Sequence, residues 1–128
     1  MKARQPWLAP FTWEMVTAQN AMLCAAKSAL HKPTSDGHDP TKILWNAHHT
    51  EAMGLEEAVD LCRRCHRMAP FCFYNGNTFS SIIQLVLRTL PLDPSQHLIV
   101  RSLAGHIVAG VASDEETRAF REFCASLA

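Results

Sequence analysis

The sequence predicts an all-α fold, a single-domain bundle of about six helices spanning residues 1–128, and three observations carry that expectation. Apolar residues recur at three- and four-residue spacing through most of the chain. Proline, glycine and capping residues cut that pattern into segments of helix length. No stretch alternates apolar and polar residues over a useful strand length, and no internal repeat is found. A chain of 128 residues, 48% hydrophobic and 19% charged, is long enough to bury a core and too apolar to stay disordered.

The elements follow in order. Residues 1–10, interrupted by Pro6 and Pro10, are expected to form a flexible or extended lead-in. Thr12 is positioned to cap a first helix, with Met15, Met22, Leu23, Ala26 and Leu30 tracing its buried face. The run "HKPTSDGHDP" reads as a loop. Asp39 as cap and Pro40 as first residue open a short second helix carrying Ile43, Leu44 and Ala47. It ends near His48 and His49, which point apart and read as a solvated pair.

A third helix spans Leu55 to Met68, with Leu55, Ala58, Val59, Cys62 and Cys65 on one stripe, and Pro70 stops it. In the turn that follows, Asn75-Gly76 is expected to bend tightly and Asn77 to cap a fourth helix. Phe79, Ile82, Ile83, Val86, Leu87 and Leu90 give that helix a wide apolar face. Asp93 and Pro94 start a fifth, which runs to about Ala109 through Gly105. Ser113 and Glu116 form a capping box for the last, whose stripe is Phe120, Phe123, Cys124 and Leu127.

Charge narrows the function. Twelve basic residues balance twelve acidic ones, so neither nucleic acid nor an anionic membrane is an expected partner. So small a net charge also favours self-association. No run reaches the length of a membrane span, and the N-terminus has no continuous apolar leader, so a cytoplasmic protein is expected. Five cysteines, an odd count, point to reduced thiols packed as small hydrophobes.

The chemistry concentrates in "LCRRCHRMAPFCFYNGNTF", Leu61 to Phe79. Cys62-x-x-Cys65-His66 spells a haem-attachment site, but Met68 is too near in sequence to ligate the opposite haem face. Zinc would draw on Cys62, Cys65, His66 and Cys72, without a second ligand pair to complete a finger. Since Cys62 and Cys65 lie on the apolar stripe, core packing is the simpler account of both. A thioredoxin-like redox pair lacks its βαβ context. Downstream, Asn75, Gly76, Asn77 and Thr78 join a polar turn to a helix N-terminus, where free amides and the helix dipole favour an anion.

That turn, "FCFYNGNTF" from Phe71 to Phe79, resembles the signature loop of the Fic/Doc family, H-P-F-x-[D/N/E]-G-N-G-R. Phe73, Asn75, Gly76 and Asn77 match in place, four positions of nine. "FTWEMVTAQNAML", "SDGHDPTKILWNA" and "AGHIVAGVASDEETRAFREF" resemble the opening and closing helices of its death-on-curing branch. The resemblance implies a Fic/Doc-like helical fold and a vestigial phosphate loop at Asn75, Gly76, Asn77 and Thr78, with ATP and magnesium as the family's cofactors.

The departures imply a degenerate site. Phe71 stands where the family has its histidine base and cannot accept a proton. Phe79 replaces the phosphate-binding arginine, and Thr78 crowds the position of a glycine. Asn75 is a neutral substitute for an acidic magnesium ligand. His66 is expected to lie more than a helical turn from the missing base. A pseudoenzyme follows, with no AMP transfer, no phosphorylation of a translation factor and no bound cofactor. The rings of Phe71, Phe73, Tyr74 and Phe79 would then either fill the emptied cleft or form an interaction surface for a protein partner or a second copy. The alternatives are a nucleotide-binding or nucleotide-transferring protein with an altered site, and a haem or zinc protein using Cys62, Cys65 and His66.

Overall fold

Six helices form the molecule in the computed structural model, which describes residues 4–127. They are α1 (Trp13–Ala26), α2 (His38–His48), α3 (Leu55–Arg67), α4 (Asn75–Leu87), α5 (Pro94–Ala109) and α6 (Asp114–Ser126). Two short strands, β1 (Arg4–Gln5) and β2 (Met53–Gly54), pair antiparallel with Arg4 opposite Gly54 and Gln5 opposite Met53. No described helix is long and apolar enough to cross a membrane.

α3, α4 and α5 pack on one another at the centre. α1 lies against α4, α6 against α5 and α3, and α2 bridges α1 and α3. The α4 stripe drives this arrangement: Phe79, Ile82, Ile83, Val86, Leu87 and Leu90 are all buried. Each such side chain is worth about 1.5–3 kcal/mol when fully taken out of water. The α3 stripe of Leu55, Ala58, Val59, Cys62 and Cys65 is buried as well, joined by Leu61. Thr12, Asp93 and Ser113 cap α1, α5 and α6 as their spacing implies, each accepting from a backbone amide three residues on.

Several expectations need correction. Arg4 and Gln5 are pinned to β2, and Trp7 and Leu8 enter the core, so the described part of the lead-in is anchored by its own apolar side chains. α1 buries Trp13, Val16, Asn20 and Cys24 and leaves Met15, Met22 and Ala26 exposed, while Leu30, exposed as well, lies beyond its end. Both of its faces are apolar enough to be buried, and the bulk of Trp13 together with partners for Asn20 decides between them. α2 begins at His38 after Gly37, and Asp39 caps nothing; its carboxylate meets His38 Nδ1 at 2.9 Å. α2 buries Thr41 and Trp45 while Ile43 stays exposed, because Trp45 offers more area and its Nε1 donates to Phe11 O at 2.8 Å. His49 is buried against Trp45, with ring centroids 5.8 Å apart, and only His48 of the pair is solvated.

The segment before α2 runs along the end of α3. Thr34 N–H donates to Pro70 O at 3.0 Å, Thr34 Oγ1 to Ala69 O at 2.6 Å, and Cys72 N–H to Lys32 O at 3.0 Å. Gly37 makes the approach possible, since a Cβ there would fall 2.1 Å from Met68 O and 2.4 Å from Ala69 O. Gly37→Ala is therefore expected to cost at least about 1–3 kcal/mol by forced backbone displacement. In contrast, nothing lies within 4 Å of a Cβ built on Gly105 inside α5. Gly105→Ala should add about 0.5–1 kcal/mol through helix propensity. Urea midpoints of the two variants moving in opposite directions would bear this out; equal midpoints would contradict it.

Candidate functional site

The Phe71–Phe79 turn is built from within. α4 starts at Asn75, two residues before Asn77, and Asn75 and Gly76 are its first helical residues in place of a tight turn. Tyr74 precedes it in the left-handed region, φ 61°, and Ala69 on the other side of the turn has φ 50°. Such conformations cost non-glycine residues about 1–2 kcal/mol and persist only where the surroundings hold them.

Two asparagines do the holding. Asn75 Oδ1 accepts from Phe71 N–H at 2.9 Å while its Nδ2 donates to Phe71 O at 2.7 Å, closing the turn on itself. Asn20, fully buried on α1, donates to Phe73 O at 2.7 Å and to Thr78 Oγ1 at 3.0 Å. Its Oδ1 accepts from His31 Nδ1 at 2.8 Å and, weakly, from the Cys24 thiol at 3.5 Å. Thr78 completes the lattice by donating to Tyr74 O at 2.7 Å. All the capacity of the Asn20 amide is used, which is why a polar side chain tolerates complete burial there.

The aromatic rings divide. Phe71 is 1% exposed and stacks on Trp13 with centroids 5.8 Å apart, between the rings of His31 and His38. Phe79 is 0% exposed and lies against Trp45 at 5.9 Å. Neither can serve as the contact surface considered for them, because the core takes both. Phe73, 49% exposed, remains outside with half-buried Tyr74 beside it, ring centroids 6.4 Å apart.

The positions that the resemblance assigns to a phosphate loop do not fit a magnesium-bound nucleotide. The Asn75 side chain is spent on the Phe71 backbone, Thr78 is buried, and Phe79 has no donor. What is left is the first turn of α4, Asn75, Gly76 and Asn77, without a side-chain cap. His66 is nearer to this turn than its sequence position suggests. A Cβ on Gly76 would sit 3.3 Å from its Cε1 and Nε2, so Gly76 serves to seat the imidazole. His66 Nδ1 donates to Val108 O at 2.8 Å, leaving Nε2 as the acceptor of the neutral ring.

The cysteines separate. Cys62 and Cys65 face the core, fully buried, whereas Cys72 is exposed in the turn. Among the described residues, no group of three or more His, Cys, Asp or Glu side chains is placed to hold a metal ion. Burial pushes the Cys65 thiol up to about 12 and the Cys62 thiol well above its ordinary 9.0, where Cys65 adds to the effect. Burial, then the Glu56 carboxylate, raises Cys124 to about 12. At pH 8 a thiol reagent is expected to label Cys72 first and to reach Cys62 and Cys65 only on unfolding. Because these folded-state values are raised, the unfolded chain ionises first, and stability should fall as pH rises above 9.0. Rapid labelling of Cys62 in the native protein would contradict the burial.

Two open features remain. A groove of about 880 Å³ runs between α3, the C-terminal end of α5 and α6, floored by Val59, Leu61, Ile107 and Phe120. Its charges are largely paired, Arg4 with Glu57, Arg63 with Asp60, Arg121 with Glu56 and His48 with Glu51. As exposed pairs they contribute at most about 1 kcal/mol each. A shallower cleft of about 600 Å³ places Cys72 alongside Lys32, His38 and Asp39, a combination the sequence conceals because Asp39 reads as a helix cap. No hydrogen bond joins Cys72 Sγ to His38 among the described residues. Compared with protein-family models, curated proteins and solved structures, the chain matches none of them.

Proposed function

We propose that this chain is a catalytically degenerate, Fic/Doc-like helical domain that acts as a binding or interaction protein, a pseudoenzyme working in the cytoplasm. The observation that carries the proposal is the self-filled turn. Phe71 and Phe79 occupy the core where the family's base and phosphate clamp would stand, and Asn75 is bonded to its own loop. A side chain so engaged offers nothing to a nucleotide, so function passes to the outer surface. Free thiols suit a reducing compartment.

A thermal melt against ATP, GTP, CTP and UTP, with and without magnesium, tests this. No change in midpoint is expected. Ligand at about a hundred times its dissociation constant would add about 2.7 kcal/mol and move the midpoint by several degrees. A magnesium-dependent shift of that size would overturn the proposal in favour of a nucleotide-binding protein using the uncapped first turn of α4.

A further inference from the structure

Charge is distributed unevenly over the outward helix faces. α3 turns Glu56, Glu57, Arg64 and Arg67 to solvent, and α6 does the same with Asp114, Glu115, Arg118, Arg121 and Glu122. The other three long helices are poor in charge, α4 with none, α5 with Arg101 alone and α1 with Glu14 alone among its 14 residues, and of these α1 lies at the periphery with two apolar faces. Opposite its buried face, Met15 is 51% and Met22 67% exposed, and Ala18, Ala25 and Ala26 are exposed with them. At 100° per residue these five fall within an arc of about 100°. A helix apolar on both faces is ordinarily covered on both.

We infer that the outer face of α1 is covered by α1 of a second copy of this chain, packed antiparallel about a two-fold axis level with Asn20. Met15, Ala18, Met22 and Ala25 follow one another at intervals of three, four and three residues, the spacing of a helix–helix seam. In an antiparallel pair centred at position 20, Met15 faces Ala25 of the other copy and Ala18 faces Met22. Each long side chain then meets a small one, so the seam interdigitates. A parallel, in-register pair would set methionine on methionine and alanine on alanine, leaving clashes at one level and voids at the next. Glu14 lies in the first turn and Lys27 follows the last residue, so the antiparallel pair also brings opposite charges to the same end, outside the apolar seam. With 12 basic and 12 acidic residues, two copies meet no net repulsion.

The seam from Met15 to Ala25 is about 15 Å long at 1.5 Å per residue, so the dimer belongs among smaller, reversible interfaces. This inference rests on the interaction reading above and names the partner as a second copy.

Sedimentation velocity of the full chain from about 1 μM to about 100 μM, a range suited to a micromolar dissociation constant, provides the test. The wild type is expected to pass from monomer to dimer across that range. Met22→Glu should remain monomeric with an unchanged melting profile, since the side chain is 67% exposed. Leu98→Glu, equally exposed on α5, should dimerise like the wild type. A wild type that stays monomeric at the highest concentration overturns the inference, as does a Met22→Glu variant that still dimerises or a Leu98→Glu variant that no longer does. These outcomes are read as mass and are independent of the nucleotide melt, so the two proposals fail separately.

Discussion

Phe79→Arg is expected to unfold the protein under conditions where the wild type is stable, and not to create a phosphate clamp. Residue 79 is 0% exposed, and its ring packs against Trp45 at the first inward position of the α4 stripe. Emptying such a site, as in Phe79→Ala, costs about 3–5 kcal/mol. A guanidinium there adds an unpaired buried charge, with a further penalty of several kcal/mol. Against a total stability of about 5–15 kcal/mol for a domain, little would remain. Phe79→Leu keeps most of the volume and should cost less than about 1.5 kcal/mol. Circular dichroism with urea titration separates the three variants. If Phe79→Arg folds as well as wild type and gains nucleotide affinity, α4 can open at its first turn and the core assignment of Phe79 is wrong.

Asn20→Leu should have the second largest effect, a loss of about 2–4 kcal/mol, although leucine is the more hydrophobic side chain. Asn20 is 0% exposed and makes four polar contacts, to Phe73 O, Thr78 Oγ1, His31 Nδ1 and Cys24 Sγ. Leucine leaves the Phe73 carbonyl without that partner and removes the tie between α1 and the strained turn at Tyr74. His31→Ala removes only one of the four contacts, from an exposed residue, and should cost under about 1 kcal/mol. Amide exchange gives a second readout: backbone N–H groups from Phe71 to Thr78 should exchange faster in Asn20→Leu at temperatures well below its midpoint. Exchange rates equal to wild type would show that Asn75 alone holds the turn.

Part of the candidate site was legible in the residues. The turn, its join to a helix and the inward placement of Cys62 and Cys65 follow from local spacing. The clamp was not. Asn20 lies 53 residues from Phe73 and 58 from Thr78, and nothing in "VTAQNAML" distinguishes a hub from an ordinary polar residue on a helix. His66 reads as the last letter of a haem motif, yet its Nδ1 bonds Val108 O, 42 residues away, and its ring stands where a Cβ on Gly76 would crowd it.

Local residue patterns account for the number of helices, the caps at Thr12, Asp93 and Ser113, and the buried faces of α3 and α4. Caps are contacts within four residues, and a wholly one-sided apolar stripe leaves a single face to bury. Long-range packing settled which face of α1 and α2 turns inward, where α4 begins and that Phe71 belongs to the core. In α1, methionines and alanines compete with Trp13, Val16 and Cys24 on the opposite side, so local periodicity is degenerate. The choice falls to contacts formed across the chain: Trp13 on Phe71, Trp45 on Phe79, and an asparagine whose hydrogen bonds exist only once α1 and α4 have met.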